Sequence, residues 1–317
     1  MHKTRLIFLI TLITTVSLLK VDLHAQHFTV KDTEAGVEIK EGDQKVLFYQ
    51  KCPKSLNGQY ERANYVHPLY GLNEEILTED FPEDHLHQRG IFWTWHQIIV
   101  NGNKIADGWT CDNIAWDVQD TQLTINNIQA ILKTTVLWKS ELSELEDNQP
   151  VSIVRENAEI TVYRSTSQFR MIDFKIALTA LVDSLQIGGS EDAKGYGGFS
   201  PRLILPEDIR FISQNQEITP QDTAVKAGPW MDFYGSYNGT SAPKSGVALF
   251  SHPDNPGHPQ PWILRSEKSM QNVVYPGRTP VDLPKGEVLT LKYRLVIHSD
   301  DIDQNSLEEL YKQYIKN

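Results

Sequence analysis

The densest run of side chains able to do chemistry is Glu83-Asp84-His85-Leu86-His87-Gln88-Arg89-Gly90, followed at once by Ile91-Phe92-Trp93-Thr94-Trp95-His96. An imidazole can pass a proton near neutral pH, and a guanidinium can hold an oxyanion or carboxylate through two parallel hydrogen bonds. Read as an extended segment, Asp84 to Arg89 points His85, His87 and Arg89 the same way, because side-chain direction repeats every two residues. Trp93 and Trp95 share a direction for the same reason and offer apolar faces on which a sugar ring can stack, with His96 beside them. This reading makes His85, His87 and Arg89 candidate catalytic groups and Trp93, Trp95 and His96 candidate substrate contacts. The plainer alternative is a structural His-x-His pair beside core tryptophans. His85 and His87 also have strand-compatible spacing for two ligands of a divalent metal, with His96, Asp84 or a distant His as the third. No Cys pair, HExxH helix or EF-hand loop accompanies them.

A second cluster, Lys194-Gly195-Tyr196-Gly197-Gly198-Phe199-Ser200-Pro201-Arg202, combines three glycines with cationic and phenolic groups. It lacks the glycine spacing of a phosphate-binding loop. The glycines either let the backbone approach a ligand closely or form a bend between strands. On the first reading Lys194 joins Arg89 in stabilising developing negative charge, and Tyr196 and Arg202 bind substrate. In a third region, His252-Pro253-Asp254-Asn255-Pro256-Gly257-His258-Pro259 precedes Trp262. Its proline-rich turn could carry His252 to the rim of a cleft, with Trp262 as a further substrate contact, or simply be a rigid surface loop.

The elements that must position these groups are strands. Ile172, Phe174, Ile176 and Leu178 alternate with Asp173, Lys175 and Thr179, and Leu289, Leu291, Tyr293, Leu295 and Ile297 alternate with Thr290, Lys292 and Arg294. Strands with one dry and one wetter face belong to stacked antiparallel sheets. Asn101-Gly102 between two apolar runs predicts a type I′ hairpin, and Asn57-Gly58 and Asn238-Gly239 predict further turns. One helix is expected, at the C-terminus, with Asn305 or Ser306 capping Leu307, Leu310, Tyr311, Tyr314 and Ile315 at helical spacing. No repeat or Ser/Gly/Pro linker divides the chain, and the acidic stretch Glu141 to Asp147 reads as a solvated loop. The expected fold is therefore all-β, a large antiparallel β-sandwich with a short C-terminal helix, in a single domain from residue 26 to 317.

The chain has 317 residues and a formal net charge of −11, which argues against a nucleic-acid partner. His2 to Arg5 are basic, Leu6 to Leu19 form an apolar run, and Ala25 stands where a small residue precedes cleavage. Residues 1–25 thus read as a signal peptide, and the protein as periplasmic or secreted, with no membrane span after its removal. In that oxidising setting Cys52 and Cys111 either pair or remain two separate thiols.

Four blocks resemble the PmoA-like family of exported bacterial proteins, often labelled "methane oxygenase PmoA". They are His67-Pro68-Leu69-Tyr70, Asp84-His85-Leu86-His87-Gln88-Arg89-Gly90-Ile91-Phe92-Trp93, Gly197-Gly198-Phe199 and the stretch from His252 to Trp262. Family members usually carry a further His where this chain has Gln88, a departure from any three-imidazole site centred there. The label cannot be literal, because a membrane oxygenase subunit needs several apolar spans and this chain has one short apolar run. The resemblance implies instead a β-supersandwich similar to galactose mutarotase and a setting in carbohydrate use. The expected function is an enzyme moving protons at or near the anomeric centre of a sugar, as an epimerase, mutarotase, lyase or hydrolase. The alternatives are a non-catalytic glycan-binding module and a metal-dependent oxidoreductase.

Overall fold

The computed structural model describes residues 27–141, 149–268, 270–300 and 302–316. The predicted signal peptide and nearly all of the acidic stretch after Glu141 lie outside them. Strand accounts for 52% of the described residues and helix for 4%, so the protein is all-β with a short C-terminal helix, as the alternation predicts.

Two antiparallel sheets make the sandwich. The larger, nine-stranded sheet runs Ala115–Ile125, Gln129–Ser140, Val151–Tyr163, Phe169–Ala180, Val288–Ser299, Ser245–Ser251, Trp230–Gly235, Arg210–Ser213 and Gln216–Glu217. The smaller, six-stranded sheet runs Phe28–Asp32, Gly36–Glu41, Gln44–Gln50, Tyr65–Leu69, Ile91–Trp95 and Gly197–Pro201. The two alternating segments noted above pair with each other, Ile172 opposite Leu295 and Ile176 opposite Leu291, and bury the predicted face in one core shared by both sheets. Period 2 fixes this register, since a slip of one residue would turn every apolar side chain to water.

The hairpin at Asn101-Gly102 forms with φ of 51° and 78°, the positive values a type I′ turn demands. The helix spans Gln304–Tyr314, but Asp303 is its cap, accepting from the Ser306 backbone N–H at 2.7 Å, in place of the predicted Asn305 or Ser306. Leu307, Tyr311 and Tyr314 seat it on Trp230, Ala248, Phe250 and Val296, the outer face of one half of the large sheet. The other half of that face stays wet.

Candidate functional site

Segment 84–89 is a pair of turns, not a strand. Pro82 starts it, His85 N–H donates to the Pro82 carbonyl and Gln88 N–H to the His85 carbonyl. The alternation expected of His85, His87 and Arg89 therefore fails, and the three side chains separate. Arg89 is fully buried: it donates to Asp80, to the carbonyls of Lys54 and Tyr60 and to the Tyr65 hydroxyl, and lies over the Phe81 ring at 3.4 Å. It pins the loop and has no surface to offer a substrate. Arg202, also buried, donates to Glu79, Gln88 and Asp84 at 2.6, 2.6 and 2.7 Å. It too is a pin, and it holds Asp84 in place beside His85.

Trp93 and Trp95 share a direction as expected, but that direction is inward. Both lie in the core between the sheets, and Trp95 Nε1 donates to the Tyr275 carbonyl at 2.7 Å. Trp262 is likewise buried, donating to the Gly228 carbonyl. None of the three can stack a sugar. Lys194 lies in an exposed turn whose N–H donates to Asp192, and its charge falls on that carboxylate. The glycines serve backbone packing: a Cβ on Gly198, at φ 93°, would sit 3.2 Å from the Val273 carbonyl oxygen. His252 belongs to the opposite outer face, beside Tyr314 of the helix. Cys52 is exposed, Cys111 half-buried, and both are free thiols.

Four predicted residues do converge, on the outer face of the six-stranded sheet: His85, His87, His96 and Tyr196. His85 Nδ1 lies 2.7 Å from Asp84 Oδ2 and His96 Nδ1 lies 3.0 Å from Asp107 Oδ2. Burial raises the Asp84 carboxyl, but His85 and Arg202 outweigh it and hold it below the usual range. For Asp107 burial is overcome by His96, the Thr110 backbone N–H and Lys104, leaving its pKa at about 2. Two ionised carboxylates thus fix the Nδ1–H form of two imidazoles and turn each Nε2 outward.

His87 lies between these dyads. Its ring meets that of His85 edge-on at 5.8 Å and that of Tyr60 at 6.1 Å, and among the described residues it makes no hydrogen bond. Burial, then the charges of His85, Arg62 and His96, depress its pKa to about 4, so it is neutral at neutral pH. Aromatic rings form the wall: His96 stacks on Trp109 at 5.1 Å, and Trp109 meets Tyr196 at 5.2 Å, with the Arg265 guanidinium 5.6 Å over the Tyr196 ring. Arg62 is buried against Phe92 and Trp116 and donates to the Gly108 and Trp109 carbonyls and to Cys111 Sγ, which anchors the loop that carries Asp107 and Trp109.

Tyr60, Arg62, Asp107 and Trp109 are the site residues that sequence reasoning passes over. Only Asp107-Gly108-Trp109, a turn just after a strand, gives a local signal of a loop aimed at the site. Chemically, the arrangement places a neutral base between two imidazoles able to carry a proton. Among the described residues no group of three or more His, Cys, Asp or Glu side chains could hold a metal ion, so His85 and His87 find no third ligand there. Nor, among the described residues, is any helix long and apolar enough to cross a membrane.

No curated protein matches the chain. A family described as "Family of unknown function (DUF6807)" matches residues 36–312, which takes in both sheets except the first strand, Phe28–Asp32, and most of the helix, and the chain belongs to that family.

Proposed function

We propose that the protein is an exported carbohydrate-active enzyme in which His87 is the general base. The observation that carries this reading is His87 itself, a desolvated neutral imidazole with no hydrogen-bond partner among the described residues, flanked by His85–Asp84 and His96–Asp107. A base whose conjugate acid has a pKa near 4 stays fully competent from mildly acidic to alkaline pH. In base strength it resembles a carboxylate, without the negative charge that would repel an enolate-like or oxyanionic transition state. His87 takes a proton from a carbon or hydroxyl next to the anomeric centre. His85 or His96, whose imidazolium form the paired Asp84 or Asp107 stabilises, returns one and is left neutral, and the proton held by His87 passes to solvent as the site resets. The half-buried rings of Tyr60 and Tyr196 supply the faces against which a sugar lies. The resemblance to PmoA-like proteins, with its galactose-mutarotase-like fold, points the same way and supports export and a sugar substrate.

A turnover screen over reducing sugars, 3-keto-glycosides and uronides, with wild type and His87→Ala, tests the proposal. The active class is expected to lose roughly 100-fold or more in kcat/KM in the variant, and the wild-type acid limb is expected near pH 4 and not near 6.5. Equal activity of the two proteins sinks the assignment of His87. Tight glycan binding with no product, insensitive to pH, would make the protein a glycan-binding module instead.

A further inference from the structure

The wet half of the large sheet's outer face carries a second polar site, unrelated to the imidazole cluster on the opposite side of the sandwich. The strands Ala115–Ile125, Gln129–Ser140, Val151–Tyr163, Phe169–Ala180 and Val288–Ser299 lie side by side here, beyond the edge of the helix. Their outward residues line two adjoining hollows of 340 and 290 Å³ that share Glu159 and Lys175. In the second hollow the register sets Thr161, Asp173 and Arg294 in one row across three strands, and Glu159, Lys175 and Lys292 in the next. The helix closes one end with Tyr314, and the loop after Ser251 adds His252.

The acceptors in this hollow are already used. Asp173 takes Arg294 Nε and Nη2 at 2.6 and 2.8 Å and the Tyr163 hydroxyl at 3.0 Å, and Glu159 takes Lys133 at 3.1 Å. The donors are not. Lys175 is exposed and, among the described residues, has no ion-pair partner. His252 and Tyr314 are both 6% exposed, and His252 Nε2 and the Tyr314 hydroxyl are buried without a hydrogen bond. His252 Nδ1 accepts the Asp254 backbone N–H at 3.1 Å, so its proton sits on Nε2. Burial keeps this imidazole neutral and pushes the phenol further above its ordinary range, so both remain uncharged donors. The two rings meet edge to face at 5.2 Å, and the Arg294 guanidinium lies 4.6 Å over the Tyr314 ring, so the donors are held in place before anything binds.

A hollow whose carboxylates are satisfied, and whose unspent groups are an ammonium, an imidazole N–H and a phenol O–H, is complementary to a ligand rich in acceptors and negative in charge. We propose that it binds a carboxylate on a ligand about the size of one sugar ring, with Lys175 as the charge partner and His252 and Tyr314 as neutral donors. Its volume, at the low end for small-molecule pockets, suits a single ring and not a long polymer. The carboxylate could belong to a uronate residue or to a small non-sugar acid, and the chemistry of recognition is shared.

Calorimetric titration of the full chain with sodium glucuronate, glucose and sodium succinate tests this. Glucuronate is expected to bind at least about tenfold tighter than glucose, equivalent to roughly 1.4 kcal/mol. Lys175→Glu, an exposed change, is expected to abolish that preference without lowering the melting temperature, and His252→Phe to weaken glucuronate severalfold. His87→Ala should retain the binding, which separates this site from the imidazole cluster. Succinate as tight as glucuronate identifies a non-sugar acid; succinate much weaker identifies a uronate. Glucuronate no tighter than glucose, or binding unchanged in Lys175→Glu, overturns the proposal.

Discussion

Replacing Glu156 with glutamine should remove a pH dependence from the stability of this fold. Glu156 sits on the strand Val151–Tyr163 with the parity of Ala158, Ile160 and Val162, so its side chain enters the core between the sheets, fully buried. Asn64 Nδ2 reaches its two oxygens at 3.0 and 2.9 Å, and Trp138 Nε1 donates at 2.8 Å. Burial outweighs these hydrogen bonds and raises its pKa from 4.5 to about 7. The folded state therefore holds this proton more tightly than the unfolded chain does. Its contribution to stability is fully present below pH 4.5 and is lost as pH rises through 7. The loss between pH 5 and pH 8 comes to roughly 2–3 kcal/mol.

The raw stability curve will not display this cleanly. His67 and His87 both have folded pKa values near 4, against 6.5 free, so they withdraw stability as pH falls from 6.5 towards 4. The difference between wild type and Glu156→Gln removes these terms, which are common to both proteins. Urea unfolding followed by tryptophan fluorescence at pH 5 and pH 8 supplies it. The variant should gain roughly 2–3 kcal/mol relative to wild type on moving from pH 5 to pH 8, whatever its offset at pH 5. Two curves that stay parallel across that range would refute the buried, titrating carboxyl.

Three further perturbations follow from the same packing. Arg202→Ala strips the partner from Glu79, Gln88 and Asp84. It should cost about 3 kcal/mol, the low end for a broken buried pair because both carboxylates keep some exposure, and limited proteolysis should then cut between residues 79 and 89. Gly102→Ala meets no atom within 4 Å, so its cost is the φ of 78° alone, and a drop of about 1 kcal/mol in urea stability is expected. Asp303→Ala removes the acceptor for the Ser306 N–H, and hydrogen exchange at the first turn of the helix should quicken severalfold while the central strands of the large sheet stay protected.

Alternation made the large sheet legible because those strands have one dry and one wet face. It could not tell which way Trp93 and Trp95 point. Every residue of Ile91–Trp95 is buried, so its pattern has a period but no sign. The His-x-His-x-Arg stretch misleads for another reason: Pro82 and His85 initiate turns, and the period-2 argument is void once the chain is not extended. Partners set by tertiary contact, such as Asp107 for His96 or Arg62 beneath Trp109, leave no spacing rule to read. Glu156 did leave a signal, a carboxylate at core parity in an otherwise apolar alternation.

The fate of the cations bears on which kind of function to test first. In a chain of net charge −11, Arg89, Lys194 and Arg202 stand in the sequence as candidate functional cations. Yet Arg62, Arg89, Arg170 and Arg202 are all buried, each tied to carbonyls, carboxylates or both. Guanidinium suits that work, since five donors in a fixed fork can join several segments at once. What these pins leave at the surface of the small sheet is an imidazole whose neutral state is enforced by burial and by neighbouring charge. A binding site can use a neutral imidazole as a donor, as proposed for His252, but it has no need of two further imidazoles beside it, each fixed in one tautomer by a carboxylate. Proton transfer needs both the neutral base and its fixed neighbours, which is why the His87→Ala turnover comparison comes before a survey of glycan affinity.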